Sequence, residues 1–561
     1  MREFLALCVA IFLALAARAA ETPLSLDNLV FTLGGTTYRA PRVDIEGASL
    51  PRAEMARLFA GSESEIDLRF ARLSARRIVI PSLTAESRSE TRVARATYRG
   101  LVFENVVSGR AAVARGEGGE ETAESSNGGV QRVSWGASVS KGVDLRGLMH
   151  VALSGRGGAD EPLKPLVEEE TVESSRFEDS AENFVVATGR LTLAGLRGRA
   201  LAAPPGKLIE RLEKLDPAKP ENDAALTRDL LDALLSFEAS AAEARDIVAT
   251  GKGAPAEKPY RINITRLGAT KFAGAGVGEM FLEDFSLQAS DGGVLSAGRF
   301  ALGGVELAPV LQGGAYPKFA HVEIKNVIAD MPDAKASANS RIKFRLENAS
   351  ADFANFVEST PTKLSARFDK FVVDLAARGE TQGTAQFLAL GYRDLDLSAF
   401  AAGEWRDKSW EAALEPLSIE GADMGAARLS ATLNNVSGAV FSSSPMISRA
   451  AALAVSVKSV DLMLEGGGLI ERTLALEAKE RKTTLDQARA EYASAAALAI
   501  AELAGGGEKA KRIAGAVSAF ILKPKRLHLR LVAPKGVNAL DALTKKPGDI
   551  LEALEVEASA E

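Results

Sequence analysis

The feature that most constrains this chain is a period-two alternation of apolar and polar residues, repeated along most of its length. It is plain in Ile78-Val79-Ile80, Leu191-Thr192-Leu193, Ile262-Asn263-Ile264 and Ile342-Lys343-Phe344-Arg345-Leu346. It returns at 364–368, at 429–433 and in Leu527-His528-Leu529-Arg530-Leu531. Successive side chains of a strand point to opposite faces, so this period gathers the apolar groups on one side and leaves Arg, Lys, Asp, Asn and Thr on the other. Strands of that kind belong to antiparallel sheets with one covered face; buried parallel strands read as continuous Val/Ile/Leu runs, which are scarce here. Aromatic residues make up only 6% of the chain. Many amphipathic strands fit that figure better than one dense aromatic centre.

Helix signals are fewer and come in pairs. Ser49 stands before Pro51 and Gly61 follows, which predicts a capped helix, with a second over about 63–72. Another pair is expected over about 205–215 and 222–238, where Leu226, Leu230, Leu231, Leu234 and Leu235 share a face. A third is expected over about 485–503 and 508–522, opened by a capping box of Thr484 and Gln487 and divided by Gly505-Gly506-Gly507. Each pair precedes an alternating strand.

A short pattern recurs. Tyr98-Arg99-Gly100-Leu101-Val102-Phe103 is followed by Gly109, Tyr392-Arg393-Asp394-Leu395-Asp396-Leu397 by Gly403, and Leu282-Glu283-Asp284-Phe285-Ser286-Leu287 by Gly293. Gly142-Val143-Asp144-Leu145 has later counterparts beginning at Gly304 and Gly421. The order predicts three related β modules after a leader at 1–20. Module one covers 21–158 with the helix pair of 50–72, module two covers 159–316 with that of 205–238, and module three covers 317–561 with that of 485–522. The polar stretch 115–129 is expected to be an unstructured loop. The fold class is α+β and β-dominated: repeated antiparallel amphipathic-strand modules with three helix pairs, forming a curved sheet or groove.

The leader has the order of a secretory signal peptide: Arg2, an apolar core over residues 4–17, then Ala17-Arg18-Ala19. Cleavage is expected near Ala19/Ala20, which places the protein in the periplasm or outside the cell. The alternative is an uncleaved inner-membrane anchor. Fourteen residues at about 1.5 Å each span roughly 21 Å, against a hydrocarbon core of ~30 Å, which favours cleavage. Cys8 lies inside the apolar core behind Leu7, not at a lipidation site. It is the one cysteine of the chain, so its removal excludes disulfides, thiolate metal sites and a cysteine nucleophile. A net charge of −6 disfavours a nucleic-acid partner.

Motifs for chemistry are sparse. His150, His321 and His528 lack metal-ligand neighbours at i+2 to i+5 and read as surface or structural residues. Ser138-Val139-Ser140-Lys141 has the S-x-x-K spacing but no companion elements. Gly274-Ala275-Gly276-Val277-Gly278 opens no helix, so it is not a phosphate cradle. Glu168-Glu169-Glu170 and the acids of 117–124 read as a solvated acidic face more than a calcium site. No catalytic, cofactor or metal residue is assigned, and no cofactor is expected. One segment has membrane character: Lys509, Lys511 and Arg512 lead into Ile513, Val517, Phe520 and Ile521, a basic amphipathic helix that suits an anionic bilayer. The same stripe also suits docking on a sheet.

In build, with an export signal, long runs of amphipathic strands, paired helices and no catalytic motif, the chain resembles the extracytoplasmic lipid-handling β proteins of the AsmA-like and TULIP-like groups. That resemblance implies a non-enzymatic envelope protein that binds or passes an apolar ligand, a lipid or acyl chain, along an amphipathic sheet. Its partners would be a lipid or membrane surface and envelope proteins. The apolar strand faces also outnumber the helices able to cover them. The alternatives are a structural or adaptor protein of the envelope, whose modules pack sheet on sheet, and a hydrolase whose histidines meet in one cleft.

Overall fold

The structure, a computed structural model, describes residues 24–561 apart from 90–91, 126–127, 155–160, 203–207, 209–223, 253–258, 275, 308–316, 334–339, 359, 380, 382, 539–540 and 542–543. The leader and, apart from the buried Leu208, the helix expected over 205–215 lie outside the described residues, and so does the side chain of Leu226. The fold is α+β and β-dominated, built on antiparallel sheet. Contacts group it into two compact units, one of residues 1–290 with 303–313 and one of 291–302 with 314–561. The boundary expected near 316 stands beside this division. The boundary expected near 158 falls inside the first unit, where strands from both sides of it pair.

The first unit opens as a meander of β1 (Leu24–Leu33), β2 (Thr36–Glu46), β3 (Ala75–Arg88) and β4 (Arg92–Val107). Eight short strands follow: β5 (Arg110–Gly116), β6 (Gly118–Ser125), β7 (Val130–Trp135), β8 (Ser138–Asp144), β9 (Lys164–Val172), β10 (Ser175–Asp179), β11 (Phe184–Thr188) and β12 (Arg190–Gly198). They form four broken lines. β5 pairs with one end of β4 and β6 with the other. The pairs β8 and β7, β9 and β10, and β12 and β11 repeat the arrangement. Both halves rejoin on β13 (Phe237–Lys252), which continues into β14 (Pro259–Ala273) and β15 (Gly276–Gln288). The stretch 115–129 is therefore mostly strand. Its inward residues are Gly119, Glu121 and Ala123, too small or too polar to signal alternation, and a Cβ at Gly119 would lie 2.4 Å from the Trp135 ring.

The alternation breaks inside these strands for a backbone reason. In β4 the buried residues are Ala94, Ala96 and Tyr98, then Leu101 and Phe103, then Val106. The parity changes at Gly100 (φ +58°) and again at Asn105 (φ +52°). A left-handed residue inserted in a strand takes one position without taking a face, so the inward set shifts by one. Gly and Asn tolerate that conformation best. Gly100 stands opposite Pro81, and Asn28 (φ +51°) stands opposite Pro41. All four drop out of the ladder, so the prolines lose no hydrogen bond. Register is unchanged across the row: Ile80 faces Leu101, and Ser82 faces Arg99. One apolar face thus runs the length of a strand that reads in sequence as two shorter ones.

Helices α1 (Arg52–Met55), α2 (Glu63–Ala71) and α3 (Leu145–Leu153) close the core of this unit on β1–β5, β8 and β9. Met55, Ile66, Phe70, Leu148 and Met149 pack there with Val43, Ile78, Ile80, Phe103 and Val143. The first helix is much shorter than the sequence predicts, and Ser49 does not cap it. Its hydroxyl instead donates to the Arg72 carbonyl (2.7 Å) and accepts the Ser74 N–H (2.9 Å), tying off the end of α2. Ser62 and Glu65 supply the capping box for α2. Gly109 is held here as well: its N–H donates to Leu73 O (2.7 Å), and a Cβ would stand 2.7 Å from Phe70 O. Helix α4 (Ala224–Leu235) precedes β13.

Strand β16 (Val294–Glu306) contributes residues to both units. The second unit is one uninterrupted antiparallel meander. It runs through β17 (His321–Pro332), β18 (Arg341–Val357), β19 (Thr360–Asp374), β20 (Asp394–Arg406), β21 (Glu411–Gly421), β22 (Gly425–Asn434), β23 (Ser456–Glu465), β24 (Arg526–Asn538) and β25 (Glu555–Ala560). The parity shift recurs at Asn326 (φ +53°) and Lys370 (φ +49°), with Glu347 between them. Between the strands lie α5 (Leu375–Arg378), α6 (Ala385–Ala389), a 3₁₀ turn (Gly438–Phe441), α7 (Pro445–Ala452), α8 (Gly468–Arg481), α9 (Leu485–Leu503), α10 (Glu508–Leu522) and α11 (Pro547–Glu552). The last expected pair is present as α9 and α10, and Thr484 and Gln487 form both bonds of the capping box. More helix is present than three pairs. Asp144, read as part of a strand motif, caps α3 by accepting the Gly147 N–H (2.9 Å).

The recurring pattern maps to unlike places. Gly109 sits in a hairpin with φ +77°, Gly403 lies inside β20, and Gly293 precedes β16.

Candidate functional site

In the second unit, lines of directly paired residues cross all nine strands on one face. One runs Ile324, Ala349, Phe368, Ala399, Ile419, Ala427, Leu464, Leu527, Ala560. The next on that face runs from Val322 through Leu417, Leu429 and Leu462 to Ala558, with no polar member. The line between them, on the other face, includes Glu323, Arg367, Arg428 and His528. At about 4.8 Å per strand, eight steps make the apolar face roughly 38 Å wide.

The polar face is held in water by ion pairs between strands. Glu465 bridges Arg526 (2.6 Å) and Arg428 (2.6 Å), and these hydrogen bonds keep its carboxyl below the usual range. Lys370 pairs with Glu347 (2.9 Å), which raises the lysine. A face so charged does not pack against a second sheet without a large desolvation cost.

Cover on the apolar face is uneven. Over β24 and β25, α10 buries Ala516 and Phe520 against Leu527, and Ala510 joins Leu551 and Val556. At one strand end, Leu375, Leu390 and Tyr392 pack with Val373, Leu395 and Leu476. Among the described residues, no buried cluster lies over the middle of β17–β22. Its apolar side chains are half-buried or exposed: Leu364 is 39%, Leu417 42% and Ile419 48% accessible. Phe371 contacts Phe344 and Phe368 there, with ring centroids 5.8 and 6.3 Å apart. Covering one Leu or Ile side chain gains about 1.5–3 kcal/mol, so this surface favours an apolar occupant.

The first unit repeats the arrangement. Leu193, packed on the core, leads through Ala242 and Ala269 to Met280, and Leu191 leads through Ala244 and Leu267 to Leu282. Where the helices end, Leu267 is 44% and Met280 45% accessible. Two acids turn inward on this face, Glu121 and Glu170. Glu170, paired with Ser140 on one side and Leu193 on the other, is 7% accessible, and its Oε1 has no hydrogen-bond partner. Burial pushes its carboxyl up to about 7, against a smaller lowering by the Ser140 hydrogen bond.

The basic amphipathic helix turns most of its apolar stripe to the sheet. Phe520 is buried, and Ile513, Val517 and Ile521 are half-buried, the first two against the sheet clusters. Lys509 donates to the Leu554 carbonyl (2.6 Å) and Arg512 to the Val556 carbonyl (3.0 Å), while Lys511 pairs with Glu508 (2.9 Å). The stripe docks on β24 and β25 because those strands present Leu527, Leu529 and Leu531, which α10 covers together with Ile470 of α8 and Leu551 of α11.

The remaining sequence candidates do not converge. His150 lies between Glu63 (3.2 Å) and Glu161 (2.9 Å), His321 on Asp352 (2.7 Å), and His528 on Asp461 (3.1 Å). His321 and His528 sit seven strand steps apart, roughly 34 Å along the sheet. Ser138 is buried, while Lys141, three residues along the strand and so on the other face, pairs with Glu169 (2.7 Å). Gly274 and Gly276 flank the β14–β15 turn. Of the acidic run, Glu170 faces inward and is not solvated. No group of three or more His, Cys, Asp or Glu able to hold a metal occurs among the described residues, and no described helix is long and apolar enough to cross a membrane.

Residues 418–561, from the end of β21 through β25, match a family model described as "Uncharacterized protein". No curated protein matches the chain.

Proposed function

We propose that this is an exported, non-enzymatic envelope protein that binds an apolar chain, a lipid or fatty-acyl group, along the open face of its sheet. One observation carries the reading: an apolar face continuous across nine strands, covered by helices at one side and one end and bare over β17–β22. An acyl chain suits such a face, since it needs contact along its length and few polar partners. The charged opposite face supports a sheet with one side in water. The leader pattern at 1–20 supports export to a compartment where lipids are moved between membranes.

The test is organic extraction of the protein purified without detergent, followed by lipid mass spectrometry. The expected result is lipid in stoichiometric amount, exchangeable for a fluorescent fatty acid. Protein free of lipid that takes up no fatty acid sinks the proposal and favours an adaptor role.

A further inference from the structure

One strand-end edge of the second unit carries an exposed apolar surface beyond the open sheet face. Residues 436–455, the connection between β22 and β23, contain one charged residue in twenty, Arg449. Helix α7 within it buries no residue. Met446 is 82%, Leu453 67% and Ile447 51% accessible, and Trp410 of the neighbouring β20–β21 hairpin is 55% accessible. Large apolar side chains exposed this far on adjoining elements are uncommon on a soluble surface.

The connection is anchored to its neighbours. Val436 N–H donates to Trp410 O (2.9 Å), Trp405 Nε1 donates to Val436 O (2.7 Å), and Ser443 N–H donates to Glu358 Oε2 (2.8 Å). The exposure is thus a property of a fixed edge. Trp405 also links this edge to the open face. It stands in the apolar register opposite Ala412, and its ring lies 5.0 Å from that of Phe441. Apolar surface therefore passes from sheet to tip through the Trp405–Phe441 contact.

We infer that this edge docks on a phospholipid bilayer, with α7 entering the interfacial layer and Trp410 at its rim. The inference rests on the lipid-binding reading for its purpose but not for its geometry. The charge pattern selects the occupant. The inserted stretch holds no acid, and its one charge is cationic. Of the acids beside it, Glu358 is engaged by Ser443 and Glu411 by Lys458 (2.7 Å), and Asp407 of the Trp410 hairpin stands between the cations Arg406 and Lys408. Apolar residues with a tryptophan and sparse cations at the rim are the composition of an interfacial membrane anchor. A chain taken from a bilayer at this edge reaches the open face without crossing a charged strip.

The test is co-sedimentation of the purified protein with phosphatidylcholine vesicles, with and without phosphatidylglycerol, beside quenching of tryptophan emission by brominated lipid. Wild type is expected to sediment with both, more with the anionic lipid, and its emission to be quenched. The double variant Met446→Asp with Leu453→Asp should bind about a hundredfold more weakly, since two side chains lose roughly 1.4 kcal/mol or more each. Trp410→Phe should abolish most of the quenching. Both Asp positions are largely exposed, so an unchanged unfolding midpoint is expected and checks that the variant is folded. Wild type that ignores vesicles, or a double variant that binds equally well, overturns the inference. Self-association that the double variant abolishes, without vesicle binding, also overturns it, because the occupant is then a second copy. Vesicle binding without fatty-acid uptake leaves the docking edge standing and removes the lipid-carrying reading. Uptake without vesicle binding does the reverse.

Discussion

Glu170 is a carboxyl on an otherwise apolar strand face, and its titration has a definite sign. Its folded value of about 7 lies above the ordinary 4.5, so between those values the folded protein holds the proton more tightly than the unfolded chain does. The contribution to stability is fully present below about pH 4.5 and is lost as pH rises towards and through 7, up to about 3 kcal/mol in all. Glu170→Gln keeps the shape and removes the titration. The variant is expected to be the more stable protein near pH 8 and to show a flatter pH dependence; urea midpoints at about pH 5 and 8 measure this. Equal slopes for variant and wild type would place the ionisation elsewhere. The residue stands in a run of three glutamates that reads as a wet face, and only the pairing of β9 with β8 and β12 shows which of the three turns inward. Gly100 and Asn28 are similar cases. A left-handed residue in mid-strand has no signature beyond its identity, so the strands read as shorter than they are.

At the scale of elements, α10 separates two uses of one amphipathic stripe. If its apolar residues serve the sheet, Phe520→Ala leaves a cavity and costs about 3–5 kcal/mol of unfolding free energy, with vesicle binding unchanged in the folded fraction. Chemical denaturation and co-sedimentation measured together check this. Weakened vesicle binding at unchanged stability would restore the membrane role to the helix. Its ends, and those of α9, are legible in the sequence because Thr484, Gln487 and Gly505-Gly506-Gly507 act locally. The partner of its stripe is not, because it depends on which strands α10 folds back over. The segment 445–452 is nearly as apolar, yet lies exposed; between two strands of a meander it reads simply as a connection. Helix α8 lacks strong amphipathicity, and α3 is a single short run behind Asp144, so neither stands out against the alternating background.

For the molecule as a whole, period-two alternation carries the fold class: it requires antiparallel sheet with one apolar and one wet face, which the cross-strand lines bear out. The open site follows from a surplus that is visible in the sequence, more apolar strand faces than helices to cover them. Where the cover ends is not visible there. It depends on α8–α11 returning to β22–β25, and on α5 and α6 closing one end.

The most direct measurement is titration of a fluorescent fatty acid into wild type and into the Leu417→Asp, Ile419→Asp double variant, with Ile328→Asp on the charged face as control. All three side chains are substantially accessible, at 42, 48 and 56%, so each protein should unfold within about 1 kcal/mol of wild type. Fatty-acid binding should fall at least about tenfold in the double variant and stay unchanged in the control. Equal binding by all three would mean that the bare face of β17–β22 is not where the apolar ligand lies.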